Sequence, residues 1–447
     1  MYKRFILIAS VCLSIMLNAT AQEKVTLSLE DCISYAKEHN MTLKRAKLNA
    51  QSAEEDVKGA KAALLPSVSA STNQSLGYRP WQENTITVTN GIVDDKEVKW
   101  YYNGTYGINA NWTLWDGNKN RNTIKQNKLT AKQKDLEVEV TANSIEEQIT
   151  QLYIQILYLE EAVKVSQQSL ETSKKNEERG KQMLEVGKMS KADVAQLTAQ
   201  RATDEFSIVQ SQTNIRKYKL QLKELLEMVG PTEIDIVVPA TTDEQAMEEV
   251  PALQAVYENA LAVRPELAEA KLQIESSELS VKMAKAGYLP TLGMTAGFGT
   301  STNSRSDDTW GSQMKTDFDM SAGLTLSIPI YDRRQTKTAI RKARIQQELA
   351  QVELEDAEDQ LYATIEGYWL DATLNQEKLR AAQVSVDSEQ ESFNLLQEQF
   401  QLGLKNIVEL MTGKDRLLKA QQDRLESKYL AIMALKMLKF YQRKGEL

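Results

Sequence analysis

Lys61-Ala-Ala-Leu-Leu-Pro66 returns 224 residues later as Lys285-Ala-Gly-Tyr-Leu-Pro290, and Leu43/Leu267, Leu48/Leu272 and Val57/Val281 keep that offset. Beyond the prolines, Leu114-Trp115-Asp116 is answered by Ile330-Tyr331-Asp332 at an offset of 216, shared by Ile149/Ile365 and Gly187/Gly403. One segment between these marks is therefore eight residues longer in the first copy. A chain that builds one long supersecondary unit twice must find a neighbour for the apolar face of each copy.

Each copy reads as helix, strand, loop, strand, very long helix, glycine and second long helix. A helical pattern over about 29–65 breaks near Asn40 and stops at Pro66, which lacks an amide donor and restricts the residue before it. The second copy starts near Leu253, restarts at Pro265 and stops at Pro290. The long segments 119–186 and 190–229, and again 333–402 and 406–441, are free of proline. At ~1.5 Å per residue the longest makes a rod on the order of 100 Å. Ile145, Ile149, Leu152, Ile156, Leu159 and Val163 alternate spacings of four and three, and Ile208, Ile215, Tyr218, Leu222, Leu225 and Val229 carry a similar seam. Such heptads wind helices around neighbours. Between the copies, 231–251 is an acidic connector whose Ile234-Asp-Ile-Val-Val238 reads as a short strand or an extended linker.

After the prolines the period changes to two. Tyr102, Gly104, Tyr106, Ile108, Ala110, Trp112 and Leu114 alternate with Asn103, Thr105, Gly107, Asn109, Asn111 and Thr113. Segments 67–77, 290–300 and 316–330 repeat the pattern, giving four strands that are apolar on one side and polar on the other. A soluble antiparallel sheet packed on a helix would share this signature. The aromatic residues crowding both ends of 101–115, and the Asn/Thr/Ser/Gly composition of the polar side, favour strands that cross a bilayer around a wet lumen. Four strands leave two open edges, and open edges in hydrocarbon are costly. Closure then requires several chains, and three copies of four give a twelve-stranded barrel.

Lys3 and Arg4, an apolar run from Phe5 to Leu17 and Ala19-Thr20-Ala21 read as a signal peptide over 1–21. Its removal takes away Cys12 and leaves Cys32 as the lone thiol, so no intrachain disulfide is expected. The net charge of −8 argues against nucleic acid as a partner. Mean hydropathy is −0.45, and no membrane-spanning helix is expected after the leader. One histidine, His39, and no nucleophile–base pair or ligand cluster leave no metal, cofactor or catalytic site to assign.

The chain resembles TolC-like outer-membrane efflux proteins over essentially its whole mature length. The marks are Leu64-Leu65-Pro66 and Tyr288-Leu289-Pro290, Trp115-Asp116-Gly117 and Tyr331-Asp332, Arg264-Pro265-Glu266-Leu267, and the glycines Gly187 and Gly403. The resemblance implies two efflux repeats, 22–230 and 252–447, in a mainly α fold with a transmembrane β-barrel and a periplasmic α-barrel. It further implies a homotrimeric, non-enzymatic duct in outer-membrane lipid, serving efflux or type I secretion. Its partners would be a periplasmic membrane-fusion adaptor and an inner-membrane pump of the RND or ABC type. A periplasmic coiled-coil adaptor or scaffold is the competing reading, and the period-two strands speak against it.

By the same resemblance, Val186, Gly187, Ser190, Leu402, Gly403 and Asn406 form the hairpin tips where the adaptor docks. Glycine there ends one helix in the left-handed conformation, while Ser190 and Asn406 cap the next. Glu409, six residues past the second glycine, is expected to face a narrow mouth as a carboxylate ring. Thr412 stands where some members carry a second acid. Lys405 and Asp193 match the positions of a closing latch, with Phe400 in place of a tyrosine partner.

Overall fold

A computed structural model of the chain describes residues 25–81, 85–89, 92–96, 99–231, 233–238, 243–306 and 308–442. The expected leader, 1–21, lies outside them. The chain divides into two compact units. Residues 48–135 and 269–354 form a sheet unit; 136–268, 355–447 and the residues up to Lys47 form a helical unit.

The sheet unit contains β2 (Ser67–Tyr78), β5 (Trp100–Trp115), β7 (Thr291–Asn303) and β8 (Asp319–Ser327), antiparallel in the order β2-β5-β7-β8. A separate two-stranded hairpin pairs β3 (Thr85–Thr89) with β4 (Ile92–Lys96). Register fixes which side chains share a face. Val68 lies opposite Ala110, Ile108 opposite Phe298, and Phe298 opposite Met320. Ala110, Ala296 and Ala322 form the next row, and Trp112, Met294 and Leu324 the one after it. On the other face Ser69, Asn109 and Gly297 align with Ser321, and Ser71, Gly107 and Gly299 align with Asp319. The apolar face is open at Met320 and Leu324, 72% and 69% exposed, while the short helix Trp310–Thr316 packs on it at Tyr106 and Thr300. Among the described residues β2 and β8 each lack a partner on their outer edge. The last strand is shorter than its sequence pattern, 319–327 rather than 316–330. Thr316 ends a short helix, Trp310–Thr316, and Pro329 cannot donate to a ladder.

The strand-to-helix turns explain the Trp-Asp and Tyr-Asp marks. Gly117 and Asn118 (φ 70° and 67°) and Arg333 and Arg334 (φ 51° and 68°) are left-handed. These turns bring the preceding acid onto the following helix start. Asp116 Oδ2 accepts the Asn120 amide and Asp332 Oδ2 the Thr336 amide, both at 2.7 Å. The long helices α3 (Lys119–Glu185) and α9 (Gln335–Gln401) follow, with 67 residues each. Their first turns belong to the sheet unit, where Gln126 donates to Ser280 at 2.9 Å and Gln133 to Gln273 at 2.9 Å.

In the helical unit, α1 (Leu29–His39) meets the start of α2 (Met41–Ala62) at Asn40, and the return helices are α4 (Lys191–Leu225) and α10 (Ile407–Gln442). Ile145, Ile149, Ile156, Val163, Ile208 and Leu222 of the two seams are buried. Val229 is not: it is 96% exposed, because α4 ends at Leu225 and Glu227 turns left-handed at φ 57°. Asn40 Nδ2 donates to Leu225 O at 2.9 Å, so the break between α1 and α2 closes the end of α4. Ile234–Ile236 is a strand (β6), parallel to β1 (Val25–Leu27). Cys32 is fully buried, and burial pushes its thiol up to about 12. His39 lies stacked on Tyr35 with Nδ1 3.0 Å from Tyr35 O, a helix-end role. Arg264 of the Arg-Pro-Glu-Leu mark is buried over the rings of Phe440 and Tyr441 and pairs with Glu266 at 2.9 Å, anchoring the end of α10.

Candidate functional site

Both glycine turns lie in the helical unit and end their helices by the same bonds. Lys188 N donates to Met183 O at 2.8 Å and Gly187 N to Leu184 O at 3.0 Å; Leu404 N donates to Gln399 O at 2.9 Å and Gly403 N to Phe400 O at 3.0 Å. This crossed pair is the Schellman arrangement, which needs a left-handed residue at its centre. Gly187 and Gly403 sit there at φ 72° and 75°. A β-carbon at either would meet no atom within 4 Å. Glycine is thus required by backbone angle and not by space, and the surroundings of both positions are open.

The cap of the next helix stands three residues past the glycine in both hairpins, and the helix begins one residue later. Ser190 Oγ accepts the Asp193 amide at 3.1 Å, while Asp193 Oδ2 accepts from Ser190 N at 3.3 Å and from Ser190 Oγ at 2.8 Å. In the second hairpin, Asn406 Oδ1 accepts the Glu409 amide at 2.9 Å, and Glu409 Oε2 accepts the Asn406 amide at 3.2 Å. These are two reciprocal capping boxes. The acid six residues past each glycine is therefore the third residue of the new helix, held there by its cap. Ser190-x-x-Asp193 and Asn406-x-x-Glu409 carried that signal in the sequence, and only the cap residues were read from it.

Lys405 and Asp193 are not brought together. Lys405 Nζ lies 2.6 Å from Glu409 Oε1, while Asp193 is engaged by Ser190. Lys405 lies in the turn just before the cap, and Glu409, four residues on, gives it a carboxylate within its own hairpin. The hydrogen bond from Lys405, and then the amide of Asn406, hold the Glu409 carboxyl below its ordinary value. Thr412 donates back to Val408 O at 2.8 Å. Phe400 is buried with Leu197, Phe393, Ile407, Leu410 and Leu417, with Met189 and Met411 alongside. Phe400 thus packs helices of both hairpins together. Above this core the tip side chains stand free, with Leu402 75% and Val186 68% exposed.

Below the core lies a layer that sequence reasoning missed. Lys414 of α10 meets Asp204 of α4 and donates to Ser173 of α3 at 2.7 Å, and Ser173 Oγ is 2.5 Å from Asp204 Oδ2. Lys414 and Asp204 are only 5% and 8% exposed. Nothing in a helix of solvated charges distinguishes these two before the helices are packed.

The sequence profile described as outer membrane efflux protein matches residues 32–227 and again 256–441. The chain belongs to the outer membrane efflux protein family. Among relatives, the alkaline protease secretion protein AprF of Pseudomonas aeruginosa is 28% identical over 222 residues, 49% of this chain and 45% of AprF. This efflux-family chain thus spans about half the length of that relative. The outer membrane efflux protein BepC of Brucella suis is 22% identical over 423 residues, 93% of this chain and 85% of BepC. A solved structure of CusC matches with a TM-score of 0.78 at 16% identity, covering 94% of both chains, a likeness of fold.

Proposed function

We propose that this chain is one subunit of an outer-membrane exit duct for efflux or type I secretion. It conducts cargo passively from a periplasmic membrane-fusion adaptor and an inner-membrane RND or ABC pump. The sheet carries the reading: from Val68–Ala110 down to Met294–Leu324 one face is apolar and open, the other is mostly Ser, Asn, Thr and Gly, and among the described residues both edges are open. Backbone groups left unpaired in hydrocarbon cost several kcal/mol each. Pairing β2 of one copy with β8 of the next removes them, and three copies close a twelve-stranded barrel with the polar face inward. The names of AprF and BepC, one for protease secretion and one for efflux, support a duct over a periplasmic adaptor or scaffold and speak against an enzyme.

Within the duct, the repeats 22–230 and 252–447 each supply two strands and a helical hairpin, joined by the connector 231–251. Val186, Gly187, Leu402 and Gly403 are the docking tips, shaped by the caps Ser190 and Asn406. Glu409 faces the mouth as a three-fold carboxylate ring, attractive to cations. With Lys405 bound to Glu409, the lysine tunes that ring, and Asp193 serves its helix start. Purified protein in planar bilayers is expected to give discrete, cation-preferring conductance steps. A bilayer that stays silent over a range of protein concentrations overturns the proposal.

A further inference from the structure

The polar face of the sheet is nearly uncharged along its length, but at the end where β2 passes to β5 it carries two arginines. Tyr101 lies opposite Gly77, and a β-carbon on Gly77 would fall 2.2 Å from the Tyr101 ring, so the ring lies flat across the glycine. Arg79, two residues on, extends the ladder through its amide to Lys99 O at 2.7 Å. Its guanidinium carbon sits 4.7 Å from the Tyr101 ring centre. Arg305, two residues beyond the Asn303 that pairs with Asn103, brings a second guanidinium to 5.3 Å from the same ring. Among the described residues neither guanidinium is paired with a carboxylate. Of the described acids along this face, Asp317 accepts from Ser301 and Asp319 stands opposite Gly299.

Two guanidiniums held at one aromatic ring attract an anion, and each planar guanidinium matches the oxygens of a phosphate or carboxylate. We infer that Arg79, Tyr101 and Arg305 form an anion-binding clamp on the lumen side of the outer exit. The inference rests on the duct reading, under which three copies set three clamps around one opening. The ligand class is a soluble polyanion such as an oligophosphate. A lipid headgroup is disfavoured by position: lipid would lie against the opposite face, where Tyr78 and Trp100 stack at 4.7 Å. The collar would oppose the cation-attracting ring of Glu409 and favour the departure of anionic cargo once it reaches the exit.

The test adds sodium tripolyphosphate to each side of a bilayer containing the purified channel and, separately, titrates it into detergent-solubilised protein by calorimetry. Block is expected from the barrel side at lower concentration than from the other. Arg79→Gln with Arg305→Gln should raise the half-blocking concentration about 10-fold, while the Lys pair retains most of it. Heat-modifiable oligomer migration on a gel verifies that each variant is assembled. Conducting channels with equal block in wild type and the Gln pair overturn the clamp and leave the duct standing. Silent bilayers overturn the duct, and calorimetry then decides the clamp: equal binding by both proteins, or none, removes it. Loss of the block when lipid A is added to the membrane would also overturn the lumen assignment.

Discussion

Lys414→Met should unlock the two hairpins locally. The lysine is buried against Asp204 and Ser173, and Gln200 Nε2 reaches both Asp204 Oδ1 at 3.1 Å and Asp415 Oδ1 at 3.4 Å. Burial already raises the Asp415 carboxyl above its ordinary value; Asp204 raises it further, and Lys414 counters both. Removing the ammonium leaves Asp204 buried without its cation, with the exposed Asp415 beside it. Truncating one partner of a buried pair costs about 3–5 kcal/mol, whereas replacing both by apolar residues is often neutral. The low end of that range is about two powers of ten in an opening equilibrium. Hydrogen exchange by mass spectrometry on assembled protein should therefore show peptides over 170–180, 200–210 and 410–420 exchanging about 100-fold faster in the variant. Asp204→Leu with Lys414→Met should recover most of the protection. Unchanged exchange in the single variant, or a double variant no better than the single, refutes the reasoning.

Gly187→Trp with Gly403→Trp should abolish efflux while the protein remains assembled in the membrane, and normal drug resistance in that strain would count against docking at the tips. Gly187→Ala alone should cost about 1 kcal/mol of local stability through its left-handed backbone, measurable as faster exchange around Lys188. Because Lys405 holds Glu409 below its ordinary value of 4.5, the carboxylate keeps its charge as pH falls through that range and loses it only lower. Cation preference in bilayers should thus persist from neutral pH to roughly pH 5, and a loss already near pH 6 would contradict the pairing. A double-mutant cycle on Lys405→Ala and Asp193→Ala should give coupling within about 0.5 kcal/mol of zero, since the two charges serve different partners; strong coupling in conductance would restore the latch.

Alternation in Tyr102–Leu114 was enough to assign the two faces of the sheet, because a period of two is decided residue by residue. The hairpin of β3 and β4 was legible too, through Thr85-Ile-Thr-Val-Thr89 followed by Asn90-Gly91, a strong two-residue turn signal. The short helix Trp310–Thr316 left no comparable trace, since seven residues with Gly311 inside hold no period. At the tips, glycine and cap were readable locally. The pairing of Lys405 with Glu409 rather than Asp193 required knowing that Glu409 is turned back onto its own cap. The Ser173–Asp204–Lys414 layer depends on three helices meeting far apart in sequence, which no local pattern encodes.

The shared cylinder is tested most directly by the molar mass of the protein extracted from outer membranes in mild detergent, corrected for bound detergent. Three times the mature chain, each somewhat below the 50.4 kDa of the full sequence, is the expected value, with dissociation only on heating. A single-chain mass, or a species that stays dispersed without detergent, would mean that β2 and β8 do not find partners on other copies, and the account would fail.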